Sequence, residues 1–235
     1  MPKEDYTHMS FIVDRSGSMY NLVGDMQSGF NSLINEQKNV EGEATVTLVQ
    51  FDNSSELVHD MIPIADVPNF ILQPRGATAL LDAMAYTMNL VKGQIVEMNP
   101  EDRPGRCIFV VITDGEENSS RESNRDTVFE MIQDCNDDEE VNYEFVFLGA
   151  NQDAIRAGGN IGVRANASMT YDATSQGTQV MYQSLSKGLT SYRGADSVSA
   201  EYSFNSTERE EAKEAMAGSI APNIPSNFID STDIK

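Results

Sequence analysis

The sequence predicts an α/β fold: a doubly wound, mostly parallel sheet with one antiparallel edge strand and helices on both faces. Three observations lead there. Short apolar, β-branched runs alternate along most of the chain with longer segments whose apolar residues recur at helical spacing. Two of those runs, Phe11-Ile12-Val13 and Cys107 to Thr113, stop abruptly at an aspartate, Asp14 and Asp114. One polar turn, Asp52-Asn53-Ser54-Ser55, joins two strand-like runs with no helix between them, which predicts a hairpin and so a single antiparallel edge.

Taken in order, Thr7 to Val13 reads as a strand buried on both faces. After the turn Arg15-Ser16-Gly17-Ser18, the stripe Leu22, Met26, Phe30, Leu33 and Ile34 predicts a helix. Thr45 to Phe51 and Glu56 to Ile62 are the hairpin strands, and Pro63 and Pro68 punctuate the connection to the next helix. Leu81, Met84, Met88, Val91 and Ile95 mark this second long helix. Pro104-Gly105 reads as a break, followed by the most strand-like segment, Cys107 to Thr113. Val128, Met131, Ile132 and Cys135 predict a helix, and Tyr143 to Leu148 a fifth strand. A weaker helix near Ala154, a short strand at Ser168 to Tyr171 and a helix from about Gln176 to Leu189 complete the alternation.

From about Ser191 the character changes. Thr207-Glu208-Arg209-Glu210 resembles a capping box opening a short charged helix to about Ala217, and Pro222 and Pro225 fall in a polar tail. The expected organisation is a sheet domain over 1–190 and a separable C-terminal extension over 191–235, free to wrap onto a partner or a second copy in a homo-oligomer.

Composition narrows the function classes. At 235 residues and 40% hydrophobic content, one α/β domain with a tail is large enough to bury its own core. No apolar run approaches the roughly 20 residues of a membrane span, and Met1-Pro2-Lys3-Glu4-Asp5 lacks the start of a secretory signal. The expected location is cytoplasmic: the host cytoplasm, or the virion if the protein is viral. Cys107 and Cys135 read as buried thiols, away from any His or Cys at metal-ligand spacing. A net charge of -21 argues against nucleic acid and anionic membranes, and suits cations or a basic partner.

In a doubly wound sheet, ligands bind at the carboxyl ends of the strands. Three oxygen-bearing segments fall there: Asp14-Arg15-Ser16-Gly17-Ser18, Gly76-Ala77-Thr78 and Thr113-Asp114-Gly115. They offer carboxylates and hydroxyls without imidazole or thiolate. Such ligation suits Mg²⁺, Mn²⁺ or Ca²⁺ and disfavours zinc and copper; a small octahedral site favours Mg²⁺. Two acids among neutral hydroxyls leave the cation with residual positive charge, and an open position would attract an acidic group from outside.

Asp14-Arg15-Ser16-Gly17-Ser18 resembles the Asp-x-Ser-x-Ser signature of the metal-ion-dependent adhesion site in von Willebrand factor A-type domains, and Thr78 and Asp114 match the family's separate Thr and Asp. The resemblance spans roughly Thr7 to Leu189, and points to the small stand-alone A-type proteins of bacteria and bacteriophages rather than to extracellular adhesion receptors. It implies that Ser16 and Ser18 ligate the metal directly, Thr78 directly or through water, and Asp14 and Asp114 mainly through waters. A Glu or Asp of a protein partner would complete the coordination. No member of this set departs from the pattern.

The plainer readings stand beside these. Ser and Thr at such positions also cap turns and helices. Arg15 reads as a solvated surface arginine or a partner contact; Glu116 and Glu117 ring the metal face or support the next helix electrostatically. Asp134, Asn136 and Asp138 begin a calcium-loop pattern but are followed by Glu139 where glycine is required, and so read as a solvated charge run. A serine nucleophile elbow and a phosphate-binding Gly-Lys loop are both missing from the sequence, and the two histidines, His8 and His59, fall away from the metal end. The expectation is therefore a non-enzymatic, cation-dependent protein-binding module. A scaffold or virion subunit whose metal only stabilises loops is the alternative, and a metal-dependent phosphohydrolase a third reading.

Overall fold

The computed structural model describes residues 1–214. They form a six-stranded sheet in the order β3-β2-β1-β4-β5-β6, built from β1 (Lys3–Asp14), β2 (Glu43–Phe51), β3 (Ser55–Pro63), β4 (Pro104–Thr113), β5 (Asn142–Ala150) and β6 (Ser168–Tyr171). All neighbours pair in parallel except β2 and β3, the expected antiparallel edge. The burial patterns explain the strand types. β4 is buried along its whole length, as a central parallel strand must be. β3 alternates half-buried and exposed residues along most of its length, as an edge strand with one face on the protein does.

The main helices are α1 (Val23–Gln37), α2 (Leu80–Glu97), α3 (Arg125–Asn136), α4 (Ala154–Gly159) and α5 (Ser175–Arg193). α1 packs with α5, and α2 packs with α3. Phe30 of α1 meets Phe11 of β1 edge-on, with ring centroids 5.1 Å apart. The close approach of α1 to α5 depends on Gly29, where a Cβ would lie 2.2 Å from the Tyr182 ring. From β1 the chain winds outward through β2 and β3, then returns to lay β4 on the other side of β1. The switch point thus falls between β1 and β4, and their carboxyl ends lie side by side.

Three sequence readings need correcting. Pro104-Gly105 is the start of β4 rather than a break: Pro104 pairs with Lys3, and a Cβ on Gly105 would lie 2.6 Å from the Lys3 carbonyl oxygen. Glycine is needed for strand proximity here, and Pro at a strand's first residue costs no ladder bond. Residue 190 is likewise no boundary of the packed unit. α5 runs on to Arg193, and the segment after it is pinned to the sheet by buried Arg106, which donates to the carbonyls of Arg193, Ala195 and Ser197. Asn142 donates to those of Val198 and Ala200, and Tyr202 and Phe204 are buried in the core. A last helix, α6 (Ser206–Glu214), packs on β6 and α5. Its capping box uses Asn205 and Glu208, each side chain accepting from the other's backbone N–H, rather than opening at Thr207. The expected end of this helix near Ala217, and the prolines beyond it, lie outside the described residues. Among the described residues no helix is long and apolar enough to cross a membrane.

Candidate metal centre

Asp14 is the last residue of β1 and is fully buried. One carboxylate oxygen accepts from the Ser16 backbone N–H at 2.6 Å, and the other accepts from the Thr113 hydroxyl at 2.6 Å across the β1–β4 switch point. The first bond folds the chain back sharply, so that Ser16 and Ser18 face the same way, their hydroxyl oxygens 3.0 Å apart. Ser18, on the 3-10 turn Gly17–Leu22, donates to Asp114 at 2.7 Å. Thr78 reaches the same place from the segment before α2. A Cβ added to Gly115 would lie 3.3 Å from the Thr78 hydroxyl, 3.7 Å from the Ser18 hydroxyl and 4.0 Å from an Asp14 carboxylate oxygen. Glycine keeps that shared space open. Asp14, Ser16, Ser18, Thr78 and Asp114 are therefore brought together from three segments as one oxygen-lined cradle.

The electrostatics suit a cation. Burial pushes the Asp14 carboxyl up to about 6, against the hydrogen bonds from Thr113 and Ser16, with Asp114 adding to the rise. Burial also raises Asp114, opposed by the bond from Ser18. No basic side chain contributes to holding either carboxylate ionised. The nearest in sequence, Arg15, faces away. It is 5% exposed and donates through Nε to Asp52 at 2.8 Å while pairing with Glu56. Arg15 is therefore not a solvated arginine, because its charge is already matched by two acids of the fold. Two desolvated acids with convergent hydroxyls and no basic partner form a donor set that a hard divalent cation would complete. Among the described residues no group of three His, Cys, Asp or Glu side chains forms a metal cluster.

Glu117, read from sequence either as a rim acid or as an electrostatic support of the next helix, has its carboxylate engaged. It accepts from the backbone N–H groups of Leu81, Ser119 and Ser120 and from the Ser120 hydroxyl, tying its loop to the start of α2. Glu116 is exposed on the rim. Asn118 was missed by the sequence reading. Its side chain accepts from Thr78 N–H at 3.0 Å, and its own N–H donates back to the Thr78 carbonyl. No local pattern marks such a residue, since its partner lies forty positions away.

No family model matches the chain, and no curated protein matches its sequence. Solved structures do resemble it. Proximal thread matrix protein 1 from the mussel byssus superposes with a TM-score of 0.56 at 14% identity, over 77% of this chain and 45% of that one. A second structure of that protein, with a zinc-occupied metal-ion-dependent adhesion site motif, gives 0.52 at 15% identity, over 79% and 46%. A von Willebrand factor type A structure from Catenulispora acidiphila gives 0.53 at 13% identity, over 78% and 42%. The chain spans less than half the length of each. These likenesses establish the fold.

Proposed function

We propose that this chain, which has the von Willebrand factor A-type fold, is a divalent-cation-dependent protein-binding module. The observation that carries the proposal is the convergence of Thr78, Ser18 and Asp14 on the space beside Gly115, with Asp114 and Ser16 bonded into the same group. Ser16, Ser18 and Thr78 would hold the cation, with Asp14 and Asp114 supplying charge and orienting its waters. The bound cation would supply Lewis acidity to an acidic side chain, Glu or Asp, of the partner. Mg²⁺ is the expected ion, with Mn²⁺ and Ca²⁺ compatible with the same oxygens. The mussel protein's metal-ion-dependent adhesion site motif is zinc-occupied, so zinc belongs among the ions to be titrated.

The protein's own bonds argue against a metal that merely stabilises loops. Glu117, Asn118 and Asp52 already tie the three segments together through side-chain-to-backbone and ionic contacts. A non-catalytic role is supported by the histidines: His8 is buried in mid-β1 beside Thr45, and His59 lies on the hairpin strand β3. Action in the cytoplasm or in a virion belongs to the same proposal.

The test is capture of partners from native lysate with Mg²⁺ or with EDTA, using wild type and Asp14→Ala. A band lost on chelation and in the variant supports metal-bridged binding. A band indifferent to both sinks it in favour of the scaffold reading. Turnover of a generic phosphoester, abolished by Asp14→Ala, would favour the hydrolase instead.

A further inference from the structure

Asp52, the residue that follows β2, is buried although it is charged and belongs to a turn. One of its carboxylate oxygens accepts from Arg15 Nε and from Arg75 Nε, both at 2.8 Å. The other accepts from the Ser54 N–H at 3.1 Å. Its backbone carbonyl accepts from the Ala79 N–H at 2.8 Å. The two arginines have one thing in common: Arg15 directly precedes Ser16, and Arg75 lies three residues before Thr78. Asp52 therefore grips the two segments that carry the hydroxyl donors, from behind the cradle.

Adjacent contacts reinforce the grip. The Arg75 N–H donates to the Arg15 carbonyl at 2.7 Å, and the Gly17 N–H donates to the Gly76 carbonyl at 3.2 Å. Asn53 accepts from the Ala77 N–H at 3.0 Å, and the left-handed Gly76 (φ 69°) lets that side chain approach to where a Cβ would lie 2.3 Å from its oxygen. Glu56 pairs with Arg15 and lies 3.8 Å from Arg75, so two acids neutralise two guanidinium groups. Without Asp52, two positive charges beside the cradle would lose their principal counter-ion, and the backbone between Arg75 and Thr78 would lose its anchor.

We propose that Asp52 is a positioning residue for the cation site: through Arg15 and Arg75 it sets the spacing of Ser16, Ser18 and Thr78, and thereby the affinity for the metal. The inference rests on the reading of the cradle as a cation site. Asp52 touches no ligand and acts through two others.

The experiment is calorimetric titration of the full chain with Mg²⁺, and again with Mn²⁺, for wild type, Asp52→Asn, Arg75→Gln and the double variant. Metal-free melting in EDTA is measured alongside. Asp52→Asn is expected to lose about tenfold in affinity, as outer residues that orient metal ligands do, and Arg75→Gln a smaller factor. The Arg75 side chain is 63% exposed, so its replacement should leave metal-free melting close to wild type. The double variant should bind no worse than Asp52→Asn, because both changes remove the same contact. General damage would instead multiply the two losses. Should Asp52→Asn fail to fold, Arg75→Gln and the exposed Asn53→Ala carry the test, with weaker binding expected from each at unchanged metal-free melting. Wild-type affinity in all folded variants, or losses that multiply, would overturn the positioning role alone. A wild type that binds neither ion would overturn the cation-site reading and this inference with it.

Discussion

Replacing His8 with asparagine should remove much of the protein's sensitivity to mild acid. His8 is fully buried in mid-β1; its Nδ1 lies 2.9 Å from the Thr45 hydroxyl, and its Nε2 has no partner among the described residues. Burial lowers its pKa from 6.5 to about 3. The folded state therefore resists a proton that the unfolded chain accepts. Stability is fully present above 6.5 and is lost as pH falls from there towards 3. With each pKa unit worth about 1.4 kcal/mol, the loss from pH 7.5 to pH 5 comes to about 2 kcal/mol. Carboxyls raised by burial, such as Asp14 and Glu144, change stability in the opposite direction over part of that range, but they are common to wild type and variant. Asparagine keeps a polar contact with Thr45 and cannot ionise. The assay is urea unfolding at both pH values for both proteins. The wild type should lose about 2 kcal/mol more than His8→Asn between them. Equal losses would show that His8 is hydrated or charged in the native state, and would refute the reasoning.

Three further outcomes are expected from the packing and the cradle. Gly115→Ala places a methyl within 4.0 Å of Thr78, Ser18 and Asp14 oxygens at a backbone angle that alanine tolerates, so Mg²⁺ affinity should fall by about tenfold with little change in metal-free melting. Unchanged titration curves would mean that the cation does not use that space. Gly29→Ala drives a Cβ to 2.2 Å from the Tyr182 ring, and chemical denaturation should show a loss of about 1–3 kcal/mol as α1 and α5 are forced apart; a loss of a few tenths would contradict the packing. Arg106→Met leaves the carbonyls of Arg193, Ala195 and Ser197 without their donor, so limited proteolysis should cut between 194 and 204 faster than in wild type.

The sheet and the cradle were legible in the sequence for a shared reason. Buried parallel strands such as Cys107 to Thr113 are continuous apolar runs, and the residue at which such a run stops is the one delivered to the binding edge. The features that stayed hidden depend on partners distant in sequence. Nothing around Arg15 announces Asp52 and Glu56, thirty-seven and forty-one positions on, so a buried arginine read as a surface one. The bonds that engage Glu117 went unread because backbone donors at the start of α2 leave no trace in composition. Tyr202 and Phe204 are two aromatics in a polar stretch, too few to signal burial by periodicity, and the Arg106 side chain that holds the stretch in place sits on β4.

The pairing of β1 with β4 has one more consequence. Val13 stands opposite Ile112, which sets Asp14 beside Thr113 and gives their 2.6 Å bond. Sliding either strand by one residue would turn its side chains to the wrong face, and sliding it by two would part the carboxylate from the hydroxyl by about 6.6 Å. The metal cradle is thus a vernier on the alignment of the two central strands. If the cradle holds the proposed cation, a chain collapsed with those strands misaligned would be blind to it however native its helix content, and metal titration would count correctly aligned molecules in a refolded sample where circular dichroism cannot.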